Sequence, residues 1–368
     1  MKLVQIKNEH AGPVAFVGDT GHIVGSVRNE IRRWQVNDGK EAGQPMDAGN
    51  EVCSIAVSRD GKWIVCGTRS GPVAVWDASS HKKASEFRGH DEWVYAVDIS
   101  PDAARVASGS HDPTVCVWSR STGEQLLGPL EHEDWVAAVK FSPDGQFIAT
   151  AIWKSVRVYD SHDGRLLFDS PIEVGSYFNQ SLAWVSDSKQ LFALSGYGKI
   201  HCLDVTNGRI LSAWYIHSRR DPTCIALASN GAFIAAAASS SVSFCGTATH
   251  KQIGPLIHHP AHVEYMAISA NDDLVISGGD KIILRKLPDI LPTSYFDDVG
   301  VFRFHSDSKE ILFITTHLPQ QTPKVICPSA EARLEESAKS IRMEEQHPSV
   351  YIATITLHSD IRVGQAKM

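Results

Sequence analysis

The chain has 368 residues and a mass of 40.3 kDa, and its 43% apolar and 21% charged residues are typical of a globular protein with a sizeable core. The net charge of −7 argues against general binding to nucleic-acid phosphates, which requires a basic surface. No apolar run reaches the length of a membrane span or a signal peptide, and the seven cysteines form no CxxC pair. We therefore expect a cytoplasmic protein, with the nucleus as the alternative, and buried thiols.

A repeat of about 42 residues runs along the first 290 residues. It is clearest in residues 89–130, and residues 131–151 repeat its opening with a histidine, Trp-Val, alternating apolar residues and Ser-Pro-Asp. Aligning each unit on the Asp or Asn after its first apolar strand gives spacings between 41 and 43 residues. The aligned positions are Asp19, Asp60, Asp102, Asp144, Asp187, Asn230 and Asn271. So narrow a distribution indicates repeated structural units.

Each unit has the same internal pattern. Apolar residues lie five and three positions before the aligned residue, as Val97 and Ile99 do in the third unit, which predicts a half-buried strand. A tight turn follows, and then two further short strands, such as Val106–Ser110 and Val115–Trp118. Four strands in roughly 42 residues predict the blades of an all-β propeller.

The chain resembles the WD40-repeat family of β-propellers over about residues 1–290. The resemblance rests on Gly89-His90 with Trp118, on Trp76-Asp77, and on the weaker Tyr159-Asp160 and Leu203-Asp204. In that family a buried network joins a histidine before the first strand, a Ser or Thr on the second, an Asp in the next turn and a Trp on the third.

The third unit matches that network at all four positions, with His90, Ser108, Asp112 and Trp118. The fourth unit has His132 but Tyr159, the fifth lacks both the His and the Trp, and the seventh has His259 and Asp280 but Leu287. The blades without the network must depend more on apolar packing.

We predict a ring of seven blades over residues 1–298. Lys2–Ile6 take the place of an outer fourth strand, so we expect them to complete the last blade and close the ring. Residues 299–328 repeat the opening pattern with Phe302, Phe304 and Asp307, so an eighth blade or a partial extra blade is the alternative.

Residues 329–368 differ in composition from the repeats. Ala, Glu and Arg dominate 330–345, with Leu334, Ala338 and Ile341 at helical spacing, which predicts a short helical C-terminal tail. The β-branched residues of Tyr351–Leu357 favour a strand, although a second helix is an alternative. The segment also resembles the middle of a tetratricopeptide repeat.

Residues just before each first strand are the candidate binding residues, because in the WD40 family this position lies on a rim where partners dock. Trp93, Trp135 and Phe178 fall there on successive blades, and Glu51 and His262 occupy the same position elsewhere in the ring. Exposed neighbouring aromatics are suited to a binding hot spot. The competing interpretation is that these rings pack between the blades. Acidic residues border the patch, which suits a basic, apolar peptide.

Candidates for catalysis and metal binding are weak. The sequence has no phosphate-binding loop, nucleophile elbow or HExxH motif, and the recurring histidines follow the blade junctions. His259 and His262 are too few for a zinc site, so we expect no metal and no cofactor. The leading hypothesis is a noncatalytic interaction scaffold, a monomer or a subunit of a complex, that binds a protein partner and neither nucleic acid nor membrane. The alternatives are a sensor module of a larger NTPase receptor-like assembly and a propeller-fold enzyme.

Overall fold

The computed structural model describes residues 4–7, 11–18, 21–174, 181–217, 222–279, 281–292 and 295, together with the backbone of strands 303–305, 310–315, 338–347 and 350–357. The chain divides into two compact units, Met1–Phe296 and Asp297–Met368. Four-stranded antiparallel sheets form both units. Among the described residues, no helix is long and apolar enough to span a membrane.

The first unit is a β-propeller with seven four-stranded blades, which confirms the predicted number. One strand, β1, is Val4–Lys7. Blades 1 and 2 contain β2 Ala11–Phe16, β3 His22–Val27, β4 Glu30–Gln35 and β5 Met46–Asp47, then β6 Val52–Val57, β7 Trp63–Thr68, β8 Val73–Asp77 and β9 Lys83–Phe87. Blades 3 and 4 contain β10 Val94–Ile99, β11 Arg105–Ser110, β12 Thr114–Ser119 and β13 Gln125–Glu131, then β14 Ala138–Phe141, β15 Phe147–Ile152, β16 Ser155–Asp160 and β17 Leu166–Ser170.

The remaining blades follow the same order. Blades 5 and 6 contain β18 Leu182–Trp184, β19 Gln190–Leu194, β20 Lys199–Asp204 and β21 Ile210–Tyr215, then β22 Pro222–Leu227, β23 Phe233–Ala238, β24 Ser241–Gly246 and β25 Gln252–His258. Blade 7 contains β26 Tyr265–Ile268, β27 Leu274–Gly278 and β28 Lys281–Lys286, followed by a 3-10 helix, Leu287–Asp289. The first strand of each blade is innermost in the ring.

Strand β1 is the outer strand of blade 7, where it pairs antiparallel with β28. Gln5 lies opposite Ile283 and Ile6 opposite Ile282. The innermost strands of blades 7 and 1, β26 and β2, are in contact, so the ring is closed. The predicted closure by the N-terminal residues is confirmed for Val4–Ile6, and the strand includes Lys7, whereas Lys2 and Leu3 lie outside the described residues. Closure removes the free sheet edge that the last blade would otherwise present.

The aligned aspartates owe their periodicity to the turn that follows each innermost strand. In blade 3, Asp102 Oδ1 accepts hydrogen bonds from the Ser100 hydroxyl at 2.5 Å and from the Ala104 backbone N–H at 3.0 Å. The Ser100 hydroxyl oxygen in turn accepts the Arg105 N–H. Blades 2 and 4 repeat this arrangement with Asp60 and Asp144. A carboxylate at this position satisfies turn donors that the strands leave unpaired.

Blades pack against each other through buried apolar side chains and close backbone approaches. The second and third strands are almost fully buried, whereas the outer strands are largely exposed. Between blades 3 and 4, Gly109 faces Val136, and a Cβ atom on the glycine would lie 2.6 Å from Cγ1 of the valine. Gly67 and Val94 repeat this approach between blades 2 and 3. Glycine is needed there because any side chain would force the blades apart.

The second unit is a four-stranded sheet formed by β29 Arg303–His305, β30 Glu310–Thr315, β31 Ala338–His347 and β32 Val350–Leu357. Its strand order is β29-β30-β32-β31. The predicted strand over Tyr351–Leu357 is confirmed.

The helical prediction for the tail is corrected over Ala338–His347, which is a strand. Residues 330–337, also predicted as helix, lie outside the described residues. The Ala, Glu and Arg content favours a helix only weakly, and β31 instead pairs with β32 from Ala338↔Leu357 to His347↔Val350. A hairpin does not match the two helices of a tetratricopeptide repeat.

Candidate functional site

The ring has two faces, which differ in the loops they carry. We define the upper face as the end of the ring at which the innermost strands begin. The turns between the second and third strands of each blade lie on the same face. Backbone hydrogen bonds hold these two segments together: His111 N–H donates to Trp93 O at 2.8 Å, and Arg69 N–H donates to Glu51 O at 2.9 Å. The lower face carries the turns that follow the innermost strands.

Trp93 and Trp135 belong to one aromatic cluster on the upper face of blades 3 and 4. Its four members are Trp93, Tyr95, His111 and Trp135. The Tyr95 ring lies 5.6 Å from that of Trp93 and 5.2 Å from that of Trp135, with edge-to-face geometry in the second pair. His111 also meets Trp135 edge to face, at 5.7 Å. Trp93, Tyr95 and Trp135 are half-buried and His111 is exposed, so the rings both support one another and reach the surface.

Arg69 and Glu51 extend this cluster onto blade 2. The guanidinium carbon of Arg69 lies 3.8 Å from the centroid of the Trp93 ring. Arg69 Nη1 is 2.6 Å from Glu51 Oε2, in an exposed ion pair. Glu51, a predicted rim residue, therefore reaches Trp93 through Arg69.

The other two predicted rim residues do not join this cluster. Phe178 lies outside the described residues. His262 is exposed on the upper face of blade 7, and blades 1 and 2 separate it from blade 3 around the ring. The structure thus unites three of the five predicted residues: Trp93, Trp135 and Glu51.

Sequence reasoning missed several residues of this face. Tyr95 lies inside a strand, while Arg69 and His111 lie in the turns between the second and third strands, away from the aligned positions. Two more large aromatics, Trp153 and Tyr197, occupy the corresponding turns of blades 4 and 5 and are 39% and 66% exposed. The available signal was an aromatic residue in a short turn, where polar residues are usual.

Blade 3 holds a buried polar network beside the aromatic cluster. His90 Nδ1 is 2.7 Å from Asp112 Oδ2, and His90 Nε2 is 2.8 Å from the Ser108 hydroxyl. The same hydroxyl oxygen accepts the Trp118 indole N–H at 2.8 Å. The structure brings together all four residues that the sequence proposed for this network.

Burial opposes ionisation of Asp112, but hydrogen bonds from His90 and Thr114 outweigh it and hold the pKa of the carboxyl below its ordinary value. Thr114 donates through its hydroxyl at 2.6 Å and through its backbone N–H at 3.0 Å. The ionised carboxylate therefore ties the histidine to the turn above it. This network fixes the base of the loop that carries His111.

The sequence profile of the WD domain, G-beta repeat family (WD40), matches residues 45–77, 81–119 and 124–160. The chain carries WD40 repeats. A comparison with curated proteins finds no match.

Each WD40 repeat contributes to two blades. The repeat at 81–119 contains β9, the outer strand of blade 2, and the three inner strands of blade 3. The repeats at 45–77 and 124–160 are offset in the same way. This offset interlocks neighbouring blades, because one continuous segment belongs to both.

Blade 4 keeps part of the WD40 network. His132 Nε2 is 3.0 Å from the Thr150 hydroxyl and 3.3 Å from the Tyr159 hydroxyl. His132 Nδ1 is 3.0 Å from Leu130 O. Burial lowers the pKa of His132 to about 4, so the imidazole is neutral at pH 7.

Blade 7 departs further from the WD40 network, and here the sequence alignment is corrected. Arg285, and not Leu287, occupies the position of the tryptophan, because Arg285 pairs with Val275 as Trp118 pairs with Val106. The Arg285 guanidinium is buried and donates to the Ser277 hydroxyl and to His258 O, both at 3.2 Å. Burial lowers the pKa of Arg285. Asp280, the aspartate that the sequence offered for this network, lies outside the described residues.

Carboxylates surround the aromatic cluster of the propeller. Asp91 and Glu92 precede Trp93, Glu133 and Asp134 precede Trp135, and all four are exposed. Arg157 pairs with Glu133 and also with Asp169. In the part of the chain that the structure describes, no group of three or more His, Cys, Asp or Glu residues is placed to bind a metal.

Proposed function

We propose that the chain is a noncatalytic interaction scaffold that binds a basic, apolar peptide of a protein partner on its upper face. WD40 propellers are typically scaffolds for protein interactions, and they are generally noncatalytic. The observation that carries the proposal is the half-buried aromatic cluster of Trp93, Tyr95, His111 and Trp135, which spans two blades inside a border of carboxylates.

The chemistry of this surface favours a partner with both apolar and cationic groups. Aromatic rings with part of their surface exposed supply apolar area at low entropic cost and also attract cations. Asp91, Glu92 and Asp134 add negative potential around them. Arg69 on Trp93 is an intramolecular example of the contact that a partner arginine would make.

The binding surface is held rigid before the partner binds. The aromatic cluster is attached to strands β10 and β14 and to a turn based on the buried network of His90 and Asp112. Side chains fixed before binding lose little freedom when the partner arrives, so more of the contact energy contributes to affinity.

The test compares partner capture by the wild type and by the double variant Trp93→Ala/Trp135→Ala. Loss of a hot-spot aromatic costs about 2 kcal/mol or more, so we expect binding of a captured partner to weaken by at least about thirtyfold. The matched control is Leu126→Ala/Leu166→Ala, which removes two exposed apolar side chains from outer strands. Circular dichroism and thermal unfolding establish that each variant is folded. A folded tryptophan variant that retains every partner would overturn the proposal.

Half-buried tryptophans also pack, so the double variant could unfold. In that event Asp91→Asn/Asp134→Asn provides the second test, because both side chains are exposed and their removal changes charge with little loss of packing. The proposal then requires weaker binding and a smaller salt dependence. Unchanged affinity and salt dependence would contradict the acidic border.

A further inference from the structure

A concave surface lies on the lower face, at the end of the central channel opposite the aromatic cluster. It is a cavity of about 530 Å³, within the size range of small-ligand sites. Its floor is formed by one apolar residue from each of five successive blades. These residues are Val57, Ile99, Phe141, Trp184 and Leu227, each the last residue of its innermost strand.

Neighbouring groups hold this floor in place. The Trp184 indole N–H donates to Lys140 O at 3.2 Å, and Phe141 packs under the Arg105 guanidinium at 5.3 Å from the ring centroid. Arg105 is itself held by hydrogen bonds to Ser161 O at 2.6 Å and to Gly145 O at 3.0 Å. Ile99, Phe141 and Trp184 are 7%, 5% and 9% exposed, so the floor is held rigidly and offers a ligand only a small part of each of these side chains.

The wall of the cavity is polar, and a hydrogen bond links two neighbouring blades there. Asp144 N–H donates to the Ser188 hydroxyl oxygen at 3.1 Å, which joins the turns of blades 4 and 5. Ser188 is buried and has a φ of 59°, a left-handed conformation that favours glycine. The corresponding positions in blades 2, 4 and 6 are glycines: Gly61, Gly145 and Gly231. At Ser188 the side chain reaches the neighbouring turn, which a glycine cannot do.

Three charged groups at the cavity mouth are free to bind a ligand. Asp144 Oδ1 accepts from the Ser142 hydroxyl and the Gln146 N–H, and Asp187 Oδ1 accepts from the Lys189 N–H. Within the described residues, the other oxygen of each carboxylate accepts no hydrogen bond, and neither carboxylate forms an ion pair. Arg59, on blade 2, likewise has no acidic partner among the described residues. The two carboxylates lie on adjacent blades, and the cation lies on blade 2.

We propose that this cavity binds a short peptide in which an aromatic side chain is flanked by a basic residue and an acidic residue. The aromatic ring rests on the floor beside Phe141 and Trp184, where aromatic contacts add to the burial of apolar area. The basic residue pairs with Asp144 and Asp187, and the acidic residue pairs with Arg59. The six residues of β10 span about 20 Å between the two faces, so this site is separate from the aromatic cluster.

The experiment is calorimetric titration of the full chain with the tripeptide Lys-Phe-Glu, acetylated and amidated so that only its side chains are charged. The matched peptide Lys-Ala-Glu lacks the aromatic ring. The test variants are Asp187→Asn and Arg59→Gln, and asparagine retains the acceptor oxygen that the turn requires. The control variants are Asp163→Asn, an exposed carboxylate in an outer turn of blade 4, and Leu126→Ala/Leu166→Ala, two exposed side chains on outer strands.

The expected result is saturable binding of Lys-Phe-Glu with a Kd of about 1 mM or lower. Binding should be at least about tenfold weaker for Lys-Ala-Glu, at least about threefold weaker for each test variant, and unchanged in both controls. Quenching of tryptophan fluorescence that disappears in Trp184→Phe would place the ligand on the floor. Absence of saturable binding at about 10 mM, or binding that either test variant leaves unchanged, would overturn the proposal.

Discussion

Arg69 lies over Trp93, with its guanidinium carbon 3.8 Å from the ring centroid, and the same guanidinium pairs with Glu51. The relationship joins blade 2 to blade 3 at the upper face, where both side chains are accessible to solvent. The Arg69 guanidinium covers one face of the Trp93 indole. A basic partner must therefore compete with Arg69 for that face.

Replacing Arg69 tests this competition. We expect Arg69→Ala to lower the free energy of unfolding by only about 0.5–1 kcal/mol, because the ion pair and the cation–π contact are exposed. The affinity of a basic partner should rise severalfold, because the ring face becomes available. Urea unfolding and partner titration measure the two effects. Arg88→Ala is the control, since Arg88 pairs with Glu86 on the surface without covering a tryptophan. A fall in affinity would mean that Arg69 itself contacts the partner.

The blade 3 network should show strong coupling between its members. Ser108→Ala leaves the Trp118 indole N–H and a ring nitrogen of His90 buried without a partner, so we expect a loss of about 2–4 kcal/mol of stability. Phenylalanine at position 118 has no N–H to leave unpaired. The double variant Ser108→Ala/Trp118→Phe should therefore be more stable than the sum of the single effects predicts. Denaturant unfolding of the four proteins measures the coupling, and strict additivity would contradict the shared hydroxyl.

The close approach of blades 3 and 4 leads to a third prediction. A methyl group on Gly109 would lie within 3.0 Å of both Cβ and Cγ1 of Val136, so we expect Gly109→Ala to cost about 1–3 kcal/mol. Val136→Ala removes the obstructing methyl groups. In the double variant the alanine at 109 should cost much less than it does alone, as thermal or urea unfolding would show. An equal cost in both backgrounds would mean that the blades separate freely at this point.

Acid should destabilise the propeller partly through His132. The pKa of this imidazole is about 4 in the folded chain, against an ordinary value of 6.5, so the unfolded chain binds the proton more tightly. The resulting stability is present above pH 6.5 and is lost as the pH falls toward 4. Between pH 7 and pH 5 the loss is about 2 kcal/mol.

His132→Gln removes this proton-binding site. Between pH 7 and pH 5 the unfolding free energy of the variant should therefore decrease less than that of the wild type, by about 2 kcal/mol. Urea unfolding at a series of pH values measures the slope. His162→Gln, at an exposed turn, controls for loss of a histidine. A slope identical to that of the wild type would show that His132 is protonated in the folded state as readily as in the unfolded chain.

Much of the propeller was predictable because its signals are local and repeated. The aspartates at the turns, the apolar pairs before them and the outer position of β1 follow from a period of about 42 residues. His90, Ser108, Asp112 and Trp118 could be proposed as a network because one unit contains all four. Where a single unit departs from the repeat, the alignment failed, as Arg285 shows.

The candidate sites were less predictable because they combine residues from different blades. Trp93 and Trp135 were proposed from their position before a strand, but Tyr95 and Arg69 follow no such rule. The apolar residues three positions before each aligned turn were interpreted only as parts of half-buried strands. Five of them form the floor of the lower cavity, which their spacing along the chain does not reveal. The strand Ala338–His347 shows the same limit, since its pairing with Val350–Leu357 outweighs its local helical preference.

The sequence by itself determined the architecture: a repeated unit of four strands, the turns between them and the N-terminal strand that closes the ring. These follow from hydrophobic alternation and turn chemistry, which act over a few residues and recur in every blade. The tertiary structure alone decided which side chains meet at the two ends of the channel. Arg69 reaches Trp93, and Asp144 lies beside Ser188, because the packing of neighbouring blades brings together residues about 24 and 44 positions apart, and no local pattern encodes that approach.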